Sequence, residues 1–132
     1  MTKENIEELF GKIKKLLIKH SNGLAAIEKI PGSQAKGDKP GYHLYGKKEV
    51  ALAGRKPQPT YVAGIIAQKH FVGFYSMPVY SHRNEFDFSP ELSKMLKGKS
   101  CFNVTTGSPE ILAEIESIIK KGIEIYKKEG WI

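Results

Sequence analysis

Residues 60–77 read TYVAGIIAQKHFVGFYSM. Two apolar runs rich in β-branched and aromatic residues flank the polar pair Gln68-Lys69, a pattern that predicts a β-hairpin. Tyr61–Ala67 and His70–Met77 are its expected strands. A turn at that pair sets Ile66 opposite Phe71, Gly64 opposite Gly73 and Val62 opposite Tyr75. Two facing glycines would leave a shallow groove where a helix or a ligand could approach the backbone.

Working outward, the flanking segments add strands on one side and helices at both ends. Upstream, Tyr42–Tyr45 forms a short strand, Gly46-Lys47-Lys48 a turn and Glu49–Ala53 another strand, before RKPQP breaks the pattern. The stretch PGSQAKGDKPG, residues 31–41, holds three Gly and two Pro and is predicted to be a mobile loop. Before it, Ile6, Leu9, Phe10, Ile13, Leu16 and Leu17 recur at helical spacing. Thr2 can cap that helix, and Ser21-Asn22-Gly23 can end it. Downstream, Ser89-Pro90-Glu91 and Ser108-Pro109-Glu110 each place a capping serine before a proline at the first helical position. The first opens a short helix, Pro90–Leu96. The second opens a long one, with Ile111, Leu112, Ile115, Ile118, Ile119, Ile123 and Tyr126 on one face. Ser100–Val104 between them is a strand. The expected fold is a single α+β domain over residues 1–132. It is a two-layer sandwich, an antiparallel sheet packed by the N- and C-terminal helices.

The chain has 132 residues and a formal charge of +7. Residues 1–28 hold five Lys against four Glu, and residues 100–132 hold four Lys against five Glu. The excess lies in the middle, where twelve Lys or Arg face five Asp or Glu. A basic middle suits an anionic small molecule, an acidic partner or nucleic acid. The one cysteine cannot form an internal disulfide, and the charged first twenty residues lack the apolar core of a signal peptide. No apolar run reaches the roughly 18 residues of a membrane span. A cytoplasmic protein is expected, with no membrane association; a homodimer is left open.

Four chemical signals bear on function. KGKSCFNVTT, residues 97–106, contains Gly-Lys-Ser, but a nucleotide-binding loop needs glycine where Ser93 stands, with a strand before it and a helix after it. Alternation in the same stretch puts Cys101, Asn103 and Thr105 on one face, and Phe102 and Val104 toward the helices. Lys99, two residues before Cys101, could favour a thiolate. His20, His43, His70 and His82 show no metal-ligand spacing and there is no C-x₂-C. Glu4, Glu7 and Glu8 share the solvent face of the first helix, where they could form a weak iron or divalent-metal site or complement the helix dipole. The aromatics Tyr42, Tyr45, Tyr61, Phe71, Phe74 and Tyr75 stand among Lys47, Lys48, Lys69 and His70. KHFVGFYSM nevertheless lacks the Gly-aromatic-Gly order of RNA-recognition strands, which weighs against nucleic acid.

PGYHLYGKKEVALAG, IIAQKHFVGFYSMP, KGKSCFNV and a closing helix with Lys121-Gly122-Ile123-x-x-Tyr126 together resemble the YdhG-like family, whose fold is described as frataxin-like. The resemblance implies a non-enzymatic intracellular iron chaperone serving iron–sulfur cluster or haem assembly proteins. Frataxin-like proteins carry acidic residues on the first helix, and Glu4, Glu7 and Glu8 match that part of the pattern. The alternative is a binder of an anionic small molecule, an acidic partner or nucleic acid through the basic sheet region, with His43, Tyr45, Lys99 and Cys101 as ligand-binding residues.

Overall fold

The computed structural model describes residues 2–28, 39–52 and 54–132. Most of the predicted glycine-rich loop, and Ala53 at the end of a predicted strand, lie outside the described residues. Helix α1 spans Lys3–Lys19 and is followed by β1 (Ala25–Ile27), β2 (Gly41–Val50), β3 (Gln58–Ala67) and β4 (Val72–Ser76). Then come α2 (Met77–Ser81), a 3₁₀ turn at Arg83–Glu85, α3 (Pro90–Met95), β5 (Leu96–Lys97), β6 (Cys101–Val104) and α4 (Pro109–Glu129). The six strands pair antiparallel in the order β1-β2-β3-β4-β6-β5. Helices pack on one face of this sheet, giving the expected two-layer α+β architecture.

Local chemistry accounts for the helices. The Thr2 side chain accepts the Asn5 N–H at the start of α1. Ser89 and Ser108 each accept the N–H three residues on, with proline at the first helical position. Those bonds satisfy donors that a helix start leaves open. Ile6, Leu9, Ile13 and Leu17 of α1 are buried with Ile111, Ile115, Ile118, Ile119, Ile123 and Tyr126 of α4. Lys19 and His20 both reach Glu116 at 2.9 Å, joining the C-terminal end of α1 to α4. Ser89 donates from its N–H and its hydroxyl to Glu114, which seats α3 against α4.

The sheet contributes Leu44, Ala63, Ile65, Val72, Phe74, Phe102 and Val104 to the same core. Phe74 pairs with both Ile65 and Phe102, and the two phenylalanine rings stack with centroids 5.9 Å apart. Phe102 and Val104 face the helices, as alternation predicts. Their neighbours Cys101 and Asn103 lie half-buried on the opposite face.

Two predicted details differ. The hairpin loop is Lys69-His70, one residue later than expected, and Gln68 donates its N–H to Phe71 O at 2.9 Å. Ile66 therefore pairs with Gly73 and Gly64 with Tyr75, so the two glycines do not face each other. The slip moves the partner by two residues, so every side chain keeps its face. It also puts two exposed polar residues in the loop and a large side chain opposite each glycine. The second difference is at Gly46-Lys47-Lys48, which is not a turn. The residues lie within a continuous β2, where a register irregularity sets them against Thr60 alone. β1, α2 and β5, each five residues or shorter, are additional to the expected elements.

Among the described residues, no helix is long and apolar enough to cross a membrane.

The two faces of β6 differ in energetic weight. Phe102→Ala is expected to lower unfolding stability by about 3–5 kcal/mol, the usual cost of deleting a buried phenylalanine. Asn103→Ala, one residue away on the open face, is expected to cost less than about 1 kcal/mol. Urea unfolding midpoints of the two variants measure the contrast. Separately, Thr60 Oγ1 is buried without a hydrogen-bond partner among the described residues. Thr60→Val is therefore expected to be neutral or stabilising by roughly 1 kcal/mol in the same assay.

Candidate functional site

A strand exposes alternate side chains to opposite faces unless an extra residue interrupts it. Such an interruption occurs in β3. Leu44 pairs with Ala63, but the next residue of β2, Tyr45, pairs with Tyr61, leaving Val62 as the extra residue. Val62 is buried in the core, while Tyr61 turns to the open face beside His43 and Tyr45. The bulge thus gathers three polar rings on the side of the sheet away from the helices.

Gly64 makes that gathering possible. A Cβ there would collide with His43 Nδ1 and with the Tyr61 hydroxyl, closer than real side-chain carbons sit. Across the missing side chain, His43 Nδ1 and the Tyr61 hydroxyl hydrogen-bond at 2.8 Å. The Tyr45 ring leans on Tyr61 with centroids 5.1 Å apart. On the neighbouring strand Tyr75 lies over Gly73, with its hydroxyl near Cys101 and Gln68. The Cys101 thiol itself points to Asn103 Oδ1 at 3.7 Å.

Between these groups lies a cavity of about 140 Å³, lined by His43, Tyr61, Ile66, Tyr75, Ser76, Met77 and Ser100. Its size is close to the roughly 150 Å³ that accommodates a benzene ring. One wall belongs to the β4–α2 junction. Ser76 caps α2 by accepting the Val79 N–H, and its own N–H donates to Ser100 O at 3.0 Å. That bond fastens the turn before β6 to the cavity. Gly98 supplies the left-handed backbone of this turn (φ 70°), and Lys99 projects from it over the exposed ring of Tyr80 at 5.7 Å. Helix α2 is in turn held to α4 by a 2.7 Å hydrogen bond between Ser81 and Tyr126.

Burial sets the ionisation of the cluster. It pushes the Tyr61 phenol far above its ordinary range, and the neighbouring Tyr45, Tyr75 and Cys101 add to the shift. Burial also raises Tyr75 and Tyr45, and lowers His43. The Cys101 thiol is likewise raised by burial, outweighing an opposing hydrogen bond from Tyr75. At neutral pH the phenols keep their protons, the imidazole is uncharged and Cys101 is a thiol. The expectation that Lys99 promotes a thiolate does not hold: burial raises the Cys101 thiol, and the Lys99 ammonium lies over the Tyr80 ring, on the α2 side. What the cluster offers is a set of neutral hydrogen-bonding groups around an apolar slot.

The expected ligand residues are thus partly assembled. His43, Tyr45 and Cys101 share the open face, and Lys99 stands at its α2 end. His43 alone of these four lines the cavity. Tyr61, Ile66, Tyr75, Ser76, Met77 and Ser100 complete its lining and were not among the expected site residues. Alternation could have placed Tyr75 on the face of Cys101. Nothing in the sequence announces the bulge that turns Tyr61. Glu4, Glu7 and Glu8 are exposed along α1, and Glu8 pairs with Lys12 at 3.2 Å. Among the described residues, no group of three His, Cys, Asp or Glu side chains is arranged to hold a metal ion.

The chain matches no family model, and comparison with curated proteins and with solved structures finds no match.

The lowered pKa of His43 has a thermodynamic sign. The folded protein keeps the ring neutral, while the unfolded chain takes up a proton near pH 6.5. Its contribution is therefore complete above that pH and is lost as pH falls below it, with a slope of at most about 1.4 kcal/mol per pH unit. Chemical denaturation between pH 5 and 8 is expected to show this acid-side loss. His43→Gln should be less stable at pH 8 but flatter across the window; an unchanged slope would exclude the assignment to His43.

Proposed function

We propose that the protein is a non-enzymatic binding protein that holds a small planar organic molecule against the open face of its sheet. The observation that carries this reading is the cavity beside the His43–Tyr61 pair, whose polar wall is organised before any ligand arrives. Pre-arranged groups avoid the ordering cost that weakens binding by flexible side chains. Ligand sites are commonly apolar slots with a few convergent polar groups, and this one has that composition. The pair is adaptable as well. With Tyr61 donating to His43 Nδ1, its oxygen can accept from a ligand. With His43 donating to Tyr61, the phenolic proton is free for a ligand acceptor. A raised thiol and uncharged phenols favour holding a molecule over attacking it.

The iron-chaperone role follows from the resemblance to the YdhG-like family and its frataxin-like fold, and would bring iron–sulfur or haem assembly proteins as partners. Its support is the acidic face of Glu4, Glu7 and Glu8 together with a two-layer layout that many α+β proteins share. Glu8 is already neutralised by Lys12, and the cavity draws on more residues and tighter geometry.

Benzamide, a small neutral aromatic amide, tests the cavity by nitrogen–proton NMR titration. Saturable shifts are expected at the amides of Gly64, Ile66, Gly73, Tyr75 and Ser100, with a dissociation constant on the order of 1 mM for a ligand this small. Ile66→Trp should fill the slot and remove the response while leaving the rest of the spectrum intact. Absence of saturable shifts, or their persistence in Ile66→Trp, would defeat the proposal.

A further inference from the structure

Charge is divided unevenly between the two layers of the molecule. Residues 1–24, 77–95 and 105–132, which carry the helices, hold eleven Lys or Arg and eleven Asp or Glu. The described strands, with the turns and ends that adjoin them, hold eight Lys or Arg against Glu28 and Glu49. Glu49, near the end of β2, is the single acid within the six strands. The helical layer is therefore neutral and the sheet layer basic. A surface of one sign draws a partner of the other.

Two of these cations flank the ring of Tyr75. At the hairpin end of the sheet, Lys39 donates to Gln68 Oε1 at 2.6 Å, and Gln68 in turn stands by the Tyr75 hydroxyl. On the other side, exposed Lys97 pairs with Cys101, and Cys101 with Tyr75, so register puts all three on the open face. From β3 to β5 is three strand spacings, roughly 14 Å. One phosphate or carboxylate cannot reach both ammonium groups. A partner that uses both carries a row of charges.

Between the cations the face is aromatic and uncharged. The end of the Tyr75 ring covers Gly73, where a Cβ would meet its Oη, Cε2 and Cζ at 3.1, 3.2 and 3.3 Å. With no side chain beneath it, the ring lies along the backbone and borders the cavity. A ring so placed is what a nucleobase stacks on, and neutral phenol, imidazole and amide groups match the uncharged donors and acceptors of its edge. The cavity of about 140 Å³ suits one ring better than two fused rings.

We propose that the open face binds single-stranded nucleic acid, with a pyrimidine base in the slot against Tyr75 and the phosphates passing between Lys39 and Lys97. The proposal rests on the binding function inferred above and names the planar group: a base carried on a strand. The strands lack the Gly-aromatic-Gly order of RNA-recognition sheets. Their rings reach the open face by other means, the bulge at Val62 and the glycine floors at Gly64 and Gly73. A single strand suits this face because its unpaired bases are free to stack on protein rings.

Fluorescence anisotropy of labelled octathymidine tests the proposal. A dissociation constant on the order of 10 μM is expected at 50 mM salt. A tenfold rise in salt should weaken binding roughly a hundredfold, the counterion release of about three phosphates. Octadeoxyadenosine, whose bases exceed the slot, should bind several-fold more weakly. Lys39→Gln combined with Lys97→Gln should weaken octathymidine about tenfold. Lys15→Gln with Lys120→Gln removes the same charge from exposed positions of the helical layer and should change it less than about twofold. Tyr75→Leu, which keeps apolar bulk over Gly73, should also cost about tenfold. Equal loss in the two lysine pairs, or duplex binding equal to that of the single strand, overturns the proposal. So does a poly-glutamate peptide bound as tightly as octathymidine, which would assign the face to acidic proteins. Where octathymidine fails and benzamide still shifts the amides of Gly64 and Tyr75, the binding function stands without this ligand; failure of both probes overturns the two together.

Discussion

The open side of the sheet depends on a hydrogen bond made through a vacancy. His43 and Tyr61 meet above Gly64, in space that any side chain would fill. The contact answers a general difficulty of two-layer folds: helices cover one sheet face and leave the other to water. Here that face is not simply hydrophilic. Its rings hydrogen-bond and lean on one another, and so shield the strands beneath. His43 is 2% exposed although it sits on the face away from the helices. Burial there comes from neighbouring rings and backbone, and it keeps the imidazole neutral and the phenols protonated.

The helical side supplies the rigidity on which this arrangement stands. α1 and α4 lay their isoleucine and leucine stripes on β3 and β4, so those strands are fixed from behind. Helix α4 also reaches the cavity indirectly. Tyr126 binds Ser81, which holds α2, and α2 begins at Met77 on the cavity wall. Ser76 therefore joins three duties at one position: it ends β4, caps α2 and grips the turn that carries Lys99. A displacement of α2 would be felt at the cavity, because one residue couples them.

What could be read from the residues divides along a physical line. Local, repeated signals were legible. The isoleucine spacing of α4, the paired Ser-Pro-Glu starts and the alternation of Cys101 to Val104 each depend on periodicity or capping within a few residues. The hairpin was legible as a hairpin, and its loop was misplaced by one residue because Gln68, Lys69 and His70 are equally suited to a turn. The orientation of Tyr61 was hidden. Strict alternation with Ala63 and Ile65 would send it toward the helices, and the extra residue at Val62 appears only once β2 and β3 are paired. Continuity of β2 through Gly46-Lys47-Lys48 was hidden for the same reason, since the irregularity belongs to two strands together. His43, Tyr45 and Cys101 could be named as candidates from their chemistry. Their convergence with Tyr61 and Tyr75 is a property of the sheet.

Cys101 lies beside this cluster and is the single cysteine of the chain. A thiol held in its protonated form reacts slowly, so it is sheltered from casual oxidation at neutral pH. Because no second thiol competes, a thiol-directed fluorophore or spin label, attached slowly or at raised pH, has one point of attachment, next to Tyr75 and two strands from Gly64. The fold thus comes with its own observation post, from which the occupancy of the open face can be followed by light or by magnetic resonance.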